Sequence, residues 1–291
     1  MGKLGKFLIF FFCFWIVVCF TVVAVALTSL IPEHSLTAKS QLGIVVIQGE
    51  LMDGSPVVEE LRALRDDKGV VGIVLRVESP GGTVAAAQEI NSALAELRAD
   101  SFPVVATYGN MAASGGYYAS LPAEKIFANP GTLTGSIGVI TSYMHGEKLM
   151  EKIGIQSETI TSGKLKDAGN PYRAANPEDL AYFKEVVDDT YEQFLGSVAK
   201  WRKIPADSLR PIADGRVFTG RMAKERGLVD TLGTQQDAVR WLSKRCGLEE
   251  VPATLETAAP PEPFLRSLMS GVESLVPARM RSEARVLWMV P

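Results

Sequence analysis

The chain has 291 residues, of which 47% are hydrophobic and 22% charged, enough to bury the core of one large domain or two small ones. Its formal net charge of −3, without runs of lysine or arginine, gives no electrostatic reason to expect a nucleic-acid partner. Of its three cysteines, Cys13 and Cys19 lie in one apolar segment, and its two histidines are far apart. We therefore expect no disulfide in the rest of the chain, no metal site and no cofactor.

Residues 1–32 predict a single N-terminal transmembrane helix. Lys3 and Lys6 precede an apolar run, Phe7–Leu27, that is long enough to cross a bilayer as a helix. A cleavable signal peptide has a shorter apolar region, roughly 7–15 residues, although Ala24-Val25-Ala26 is a weak match to a cleavage site. We favour an uncleaved anchor in the cytoplasmic membrane. The positive-inside rule then keeps the N-terminus in the cytoplasm and makes the following domain extracytoplasmic.

Residues 33–41 form a short polar linker, and strands alternate with helices after it. Short β-branched runs predict the strands, and apolar residues at helical spacing predict the helices. This alternation predicts an α/β domain over residues 42–250 whose sheet is mostly parallel. The predicted strands span residues 43–47, 70–77, 103–106, 137–140 and 155–160, and the predicted helices span 56–65, 83–97 and 147–153.

The second half of this domain is predicted to be helical. Over residues 177–200, apolar side chains recur at spacings of three and four, which is typical of one long amphipathic helix. Three shorter helices are predicted near 206–213, 219–226 and 234–246.

Residues 251–291 are predicted to be a linker and a tail. Ala258–Pro263 is rich in proline, and the apolar stripe between Phe264 and Val276 predicts an amphipathic helix. Three interpretations stay open. The tail lies on the membrane surface, occupies the apolar groove of its own or a neighbouring active site as a regulatory or self-processed segment, or packs on the domain surface.

The segment Asn110–Tyr118 contains the most informative residue of the chain, Ser114. It follows an apolar run and precedes a helix-compatible run, so Ser114 is predicted to lie at a strand-to-helix turn among small residues. A hydroxyl can be exposed at such a turn, where a helix N-terminus stabilises negative charge. The alternative is an ordinary helix N-cap serine.

Two other turns have a related composition. Ser79-Pro80-Gly81-Gly82 follows a predicted strand and opens a helix, and its paired glycines would let backbone N–H groups approach an oxyanion. The alternative is a turn that only requires a positive φ. The loop Gly131–Gly138 is rich in small and hydroxyl-bearing residues, which by itself indicates ordinary loop structure.

A nucleophilic serine needs a base. His34 lies at the end of the predicted anchor and His145 lies in a polar setting, which argues against a Ser-His-Asp triad. A Ser-Lys dyad is the remaining route, and a lysine acts as a base only when its amine is neutral. Lys164 and Lys166, in Ser162–Pro171, are the candidates, and the alternative for each is a solvated surface lysine.

The chain resembles the short-form bacterial signal peptide peptidases of the SppA family, from about Gly43 to about Arg245. These are serine proteases with a ClpP/crotonase-like fold of repeated β-β-α units. The resemblance rests on five motifs in this order: Arg76–Gly82, Met111–Tyr118, Gly131–Val139, Ser162–Asp167 and Asp214–Asp230.

The resemblance implies that Ser114 is the nucleophile and that Lys166, directly before an aspartate, is the general base rather than Lys164. It implies that Ser136 holds the lysine amine in position. It also implies an oxyanion hole of backbone N–H groups, one from a paired glycine and one from the residue after the nucleophile. These glycines are Gly82 or Gly81, and Gly115. The sequence does not depart from the family motifs at these positions.

The resemblance further implies the substrates and the assembly. Family members degrade signal peptides left in the membrane and other short hydrophobic peptides, and the predicted anchor would hold the domain near them. They form homo-oligomeric rings with a concave, apolar inner surface. Ser114 and Lys166 lie in one repeat. The resemblance therefore leaves open that Ser114 of one subunit and Lys166 of an adjacent subunit form one dyad.

Three alternatives to signal-peptide clearance are considered. The first is a membrane-anchored Ser-Lys protease that processes a specific membrane or envelope protein. The second is a crotonase-like enzyme that binds acyl-CoA, although such an enzyme does not need the Ser114 and Lys166 pair and the predicted location argues against it. The third is a non-catalytic crotonase-like scaffold, which the intact motifs argue against.

Overall fold

The computed structural model describes residues 40–250 and the pairing of two further short strands, at 254–256 and 286–288. The predicted anchor, most of the predicted linker and the amphipathic helix predicted after Phe264 lie outside the described residues. Within residues 40–250, no helix combines the length and the apolar character needed to cross a membrane.

Three long parallel strands form the middle of the sheet: β1 (Gln41–Leu51), β2 (Val70–Thr83) and β3 (Val104–Ala113). β4 (Lys125–Ala128) pairs in parallel with the first half of β3, and β8 (Thr231–Leu232) pairs in parallel with β4. Their β-branched and aromatic residues suit a sheet that is covered on both faces. The prediction of an α/β domain with a mostly parallel sheet is confirmed.

The sheet carries a core on each face, because successive side chains of a strand point to opposite sides. Val45 and Leu75 pack beneath the helices that follow the long strands, whereas Ile44 and Val74 face the other side, against α8 (Gln235–Arg245). The result is a sheet between two helical layers, which holds the strand ends rigidly. The helices after the long strands are α1 (Ser55–Asp66), α2 (Val84–Ala99) and α3 (Gly115–Ser120).

Each long strand is interrupted near its carboxyl end. The β1–β2 register shifts between Gln48 and Glu50, and the β2–β3 register shifts between Val77 and Ser79. β3 pairs with β4 only as far as Tyr108 and then pairs in parallel with β5 (Leu133–Gly135). Such shifts bend a strand. Each repeating unit is therefore one long interrupted strand followed by a helix.

The remaining elements support the site from the outside. The predicted helix at 177–200 is confirmed as α5 (Pro177–Arg202), which begins at a capping box between Asn176 and Asp179. Phe194 and Val198 of α5 are buried in the core beneath α3. The other elements are α4 (Glu147–Ile153), α6 (Ala206–Leu209), a 3-10 turn (Arg210–Ile212), β7 (Val217–Thr219) and α7 (Gly220–Glu225).

Two predicted strands are wrong. Residues 137–140 do not form one strand; the sheet instead contains β5, which ends before them, and β6 (Ile140–Thr141). Residues 155–160 form no strand, and all six are exposed. A β-branched run becomes a strand only where a neighbouring edge offers hydrogen-bond partners, and this run has none among the described residues.

Two short strands add to the sheet from the region after residue 250. β9 (Thr254–Glu256) pairs in parallel with β1. β10 (Val286–Trp288) lies between β2 and β6 and is antiparallel to both, with Trp288 opposite Gly82 and Leu287 opposite Thr83. A segment of the predicted tail thus pairs with the carboxyl end of β2, which contains Ser79–Gly82; these residues extend the strand and do not form the predicted turn.

Candidate active site

Ser114 lies at the turn where β3 ends and α3 begins, as predicted. Its backbone has a φ of +52° and a ψ of −121°, a conformation that costs a residue with a side chain on the order of 1–3 kcal/mol. Its amide donates to the carbonyl of Gly135 (2.8 Å), and its own carbonyl accepts from the amide of Tyr118 (2.9 Å). These bonds hold Ser114 in the strained conformation that is typical of a serine nucleophile.

The hydroxyl of Ser114 is buried rather than exposed, so that part of the expectation is wrong. The side chain is fully inaccessible, and its Oγ has no hydrogen-bond partner among the described residues. Strand β5 contacts Ser114 through the bond to Gly135, and the Gly82 end of β2 lies beside the next residue, Gly115. A buried hydroxyl without a partner is unfavourable, so its retention points to a chemical role rather than to helix capping.

Glycine is required on both sides of the candidate oxyanion hole. A Cβ on Gly82 would lie 2.1 Å from the carbonyl oxygen of Leu51, and a Cβ on Gly115 would lie 3.2 Å from the amide nitrogen of Gly82. Neither position accepts a side chain without displacing its neighbour. The absence of side chains therefore allows the backbone at Gly82 and Gly115 to lie close together next to Ser114.

Of the paired glycines, Gly82 is better placed to donate to an oxyanion. Gly81 has a φ of +116°, which favours glycine, and its amide already donates to Ser79 Oγ (3.1 Å). The Ser79 hydroxyl in turn donates to the carbonyl of Gly49 (2.6 Å). Gly81 and Ser79 therefore shape the carboxyl end of β2, which leaves Gly82 as the candidate donor.

Ser136 lies next to Ser114 through the pairing of β3 with β5. Ala113 is opposite Gly135, so the next position on each strand is one of the two serines. Ser136 has a φ of +50°, is 3% exposed, and donates its amide to the carbonyl of Arg216 (2.9 Å). The structure thus brings together Ser114, Ser136 and the two candidate oxyanion glycines.

Lys166 is not brought to Ser114 within one chain. Its side chain is exposed, and among the described residues its amine makes no hydrogen bond or ion pair. Lys164 is exposed as well. Both lysines lie on a segment without helix or strand that joins α4 to α5, residues 154–176, named here the lysine segment. Within one chain, the structure therefore brings Ser114 beside the candidate oxyanion glycines but forms no hydrogen bond between Ser114 Oγ and either lysine.

Sequence reasoning missed Glu78, which shapes the bend before Ser114. Its Oε1 accepts from the amides of Asn110 (2.8 Å) and Met111 (3.2 Å), and its Oε2 accepts from Arg76 (3.3 Å). The carboxylate fits because a Cβ on Gly109 would lie 1.7 Å from Oε2. Glu78 lies inside the Arg76–Gly82 motif, which the sequence shows. The sequence does not show that the Glu78 carboxylate contacts β3.

Sequence reasoning also missed Arg173. Its guanidinium donates to the carboxylate of Asp167, next to Lys166, and to that of Asp179 at the start of α5. Hydrogen bonds from Arg173 lower the pKa of both carboxyls below their usual range. No local pattern predicts this contact, since the arginine is six residues from each partner.

A surface pocket of about 540 Å³ opens beside Ser136. It lies between the loop after β5, the middle of α5 and the turn before β7. Asp188 and Asp214 contribute carboxylates to its wall, and Val139 and Tyr191 contribute apolar surface. The pocket thus connects the surface of the chain to Ser136.

A strained, buried serine beside close-packed glycines is an arrangement typical of serine hydrolases, in which backbone amides stabilise an oxyanion. The sequence profile of peptidase family S49 matches residues 96–249, and the chain belongs to this family. It is thus a serine protease of the SppA type, which confirms the resemblance.

Three relatives illustrate the similarity. A candidate protease of Synechocystis sp. is 37% identical over 82% of this chain and 86% of its own length. A candidate signal peptide peptidase SppA of Enterococcus faecium is 40% identical over 64% of this chain and 54% of its own. The chloroplastic serine protease SPPA of Arabidopsis thaliana is 34% identical over 78% of this chain and 34% of its own. The chain thus spans about half of the second relative and a third of the third.

Proposed function

We propose that this protein is a Ser-Lys endopeptidase that degrades signal peptides and other short hydrophobic peptides. The observation that carries the proposal is the buried, unpartnered Oγ of Ser114 beside the backbone of Gly82 and Gly115. The name of the Enterococcus faecium relative supports the substrate class. The interrupted strand-helix units support a ClpP/crotonase-like fold.

The proposed reaction begins when the neutral amine of Lys166 removes the proton from Ser114 Oγ. The oxygen attacks the peptide carbonyl, and the amides of Gly82 and Gly115 donate to the oxyanion that forms. The Lys166 ammonium then gives its proton to the leaving amine, and the acyl-enzyme remains. A water molecule, deprotonated by the same amine, releases the acid and restores the serine. Ser136 holds the amine by accepting a hydrogen bond from it.

We further propose that Lys166 reaches the Ser114 of a neighbouring subunit. Within one chain Ser114 Oγ has no partner and Lys166 is exposed, and the pocket beside Ser136 offers an entrance. Apolar side chains around the lysine segment are exposed in the single chain, which supports an interface there. They include Met144 (80%), Leu149 (64%), Ile153 (61%), Ile155 (52%) and Ile160 (94%). A closed ring would bury them and complete each dyad.

The substrate is proposed to bind as an extended strand between β2 and β6. β10 supports this position, since it pairs antiparallel with Gly82 and Thr83 on one side and with Ile140 and Thr141 on the other. A peptide bound in the same way would gain backbone hydrogen bonds and present a carbonyl near Gly82. Residues 286–288 then compete with substrate, in line with the regulatory interpretation of the tail.

The location stays a proposal as well. We propose that residues 1–32 anchor the protein in the cytoplasmic membrane and that the protease domain is extracytoplasmic. The uncharged run Phe7–Leu27 supports this proposal. An anchored site would meet signal peptides where they remain after cleavage. Processing of one specific membrane or envelope protein uses the same site and is the second candidate function.

The proposal is tested with full-length protein in detergent, a fluorogenic apolar peptide and a serine-directed phosphonate. Wild type and Lys164→Ala are expected to turn over the peptide, and Lys166→Ala is expected to be inactive. Labelling of Ser114 by the phosphonate should fall with Lys166→Ala as well. Equal turnover by Lys166→Ala and wild type would contradict the dyad, and loss of activity only in Lys164→Ala would assign the base to Lys164.

A further inference from the structure

We propose that Arg173 is a positioning residue for the general base, and that it fastens the Lys166 backbone to helix α5. The inference rests on the proposed role of Lys166. It concerns a residue outside the five motifs that define the resemblance, on the far side of the lysine segment.

The guanidinium of Arg173 joins two carboxylates. Its Nε and Nη2 donate to Asp167 Oδ2 (2.9 Å) and Oδ1 (3.0 Å), a bidentate pair, and Nη2 also approaches the Asp167 carbonyl (3.3 Å). Its Nη1 and Nη2 donate to Asp179 Oδ2 (2.5 Å) and Oδ1 (3.1 Å). Planar, bidentate bonds of this kind fix both distance and direction.

Asp179 attaches this arrangement to helix α5. It is 1% exposed and closes the capping box of α5 by accepting from the amide of Asn176 (3.1 Å). Helix α5 has 26 residues and packs into the core through Phe194 and Val198. Arg173 therefore ties Asp167, the neighbour of Lys166, to the first turn of a helix whose second half is buried in the core.

Among the described residues, few other bonds join the lysine segment to neighbouring elements, and one of them, from the amide of Ile155 to the carbonyl of Met150 (3.0 Å), lies at its start. The amide of Gly146 donates to the carbonyl of Pro171 (2.6 Å), and His145 Nδ1 lies 2.9 Å from the carbonyl of Arg173. Both contacts fall after the stretch that carries Lys166, which is itself exposed. A base must be held within hydrogen-bond reach of the proton it removes, so the Arg173 contacts near Lys166 matter most.

Arg173 also sets the charge beside the amine. The charged or titratable groups around this part of the segment are Lys164 and Asp167 on the segment, Asp179 on α5, and His145 before α4. An unpaired Asp167 carboxylate would favour the protonated form of a neighbouring amine. Arg173 offsets part of this charge, because Asp167 and Asp179 share its single positive charge.

The experiment compares Arg173→Gln, Arg173→Lys and Asp167→Asn in the full-length protein, with kcat and KM for the apolar peptide measured across pH. Arg173→Gln is expected to lower kcat by about 10- to 100-fold with little change in KM. The rising limb of its pH profile should move to higher pH by about half a unit or more. Arg173→Lys should return the rising limb of the pH profile close to its wild-type position, while kcat should stay further from the wild-type value. Asp167→Asn should lower kcat without an upward move of the limb.

The matched control is Arg245→Gln, which breaks a half-exposed pair with Glu124 (2.7 Å) on the far end of α8 and should leave all three readouts unchanged. A wild-type kcat and profile in Arg173→Gln would overturn the inference. So would a lower kcat with an unmoved limb and a lower melting temperature, which would indicate a purely structural residue. Full activity of Lys166→Ala would instead refute the proposed dyad on which the inference rests.

Discussion

Ser114 and Ser136 are neighbours because the amide of Ser114 donates to the carbonyl of Gly135, the residue before Ser136. Both serines have a positive φ, +52° and +50°, and both follow the last residues of two paired strands, β3 and β5. The sheet therefore places a hydroxyl that has no partner of its own beside a second one at the edge of a pocket. The sheet of a single chain therefore positions both serines without a contribution from the lysine.

The first prediction concerns strain at Ser114. Ser114→Ala and Ser114→Gly should each lower kcat by on the order of 10⁴-fold or more, because the nucleophile is lost. Neither should unfold the protein. Ser114→Gly should raise the free energy of unfolding by about 0.5–1 kcal/mol, since glycine adopts a φ of +52° without strain. Denaturant titration and peptide turnover measure both effects, and a less stable glycine variant would contradict the account of the turn.

The second prediction concerns the oxyanion hole. A Cβ on Gly115 would crowd the amide of Gly82 at 3.2 Å, so Gly115→Ala should displace that donor while the fold is kept. The expected result is a loss of about 100-fold in kcat with little change in KM. Gly196→Ala is the control, because nothing lies within 4 Å of a Cβ there. A Gly115→Ala enzyme with wild-type kcat would remove Gly115 and Gly82 from the proposed hole.

The third prediction concerns competition by the tail. If residues 286–288 occupy the strand position beside Gly82, deletion of residues 262–291 should lower KM for the apolar peptide severalfold without lowering kcat. A synthetic peptide with the sequence of residues 284–291 should inhibit the truncated protein. Unchanged KM together with unchanged membrane association would leave only packing on the domain surface among the three interpretations of the tail.

The fourth prediction concerns pH and stability. Burial raises the pKa of Asp230, but hydrogen bonds from Arg202 and its charge outweigh burial, so the pKa is lowered overall. A lowered pKa stabilises the fold above about pH 4, and the contribution is lost as pH falls through the folded-state pKa. Asp230→Asn should therefore cost about 2 kcal/mol at pH 7, since it leaves the Arg202 charge unpaired, and less near pH 3.

Asp100→Asn is the matched control for this measurement. Its pair with Arg65 is half exposed on both sides, and such pairs contribute about 0–1 kcal/mol. Thermal melting of both variants between pH 3 and pH 7 tests the difference. An Asp230→Asn penalty that grows at low pH would contradict the sign of the effect.

Local motifs account for what could be predicted from the sequence. The Ser114 turn is short and its small residues dictate the backbone, so it was found, whereas Ser79–Gly82, predicted as a turn, continues strand β2 past a register shift. The long helix α5 follows from its periodic apolar residues. The prediction of a strand at 155–160 is wrong because no neighbouring strand among the described residues offers hydrogen-bond partners to it. Arg173 was missed because its partners Asp167 and Asp179 each lie six residues away, a spacing that no local pattern predicts.

The most direct test of the account is activity restored by mixing two inactive chains. Ser114→Ala and Lys166→Ala are co-expressed with different tags, and complexes that contain both are purified and assayed on the apolar peptide. If Lys166 of one subunit serves Ser114 of the next, a random ring has both residues intact at about a quarter of its interfaces and should show about a quarter of wild-type turnover. Turnover no greater than that of the separate variants would contradict a dyad formed between subunits.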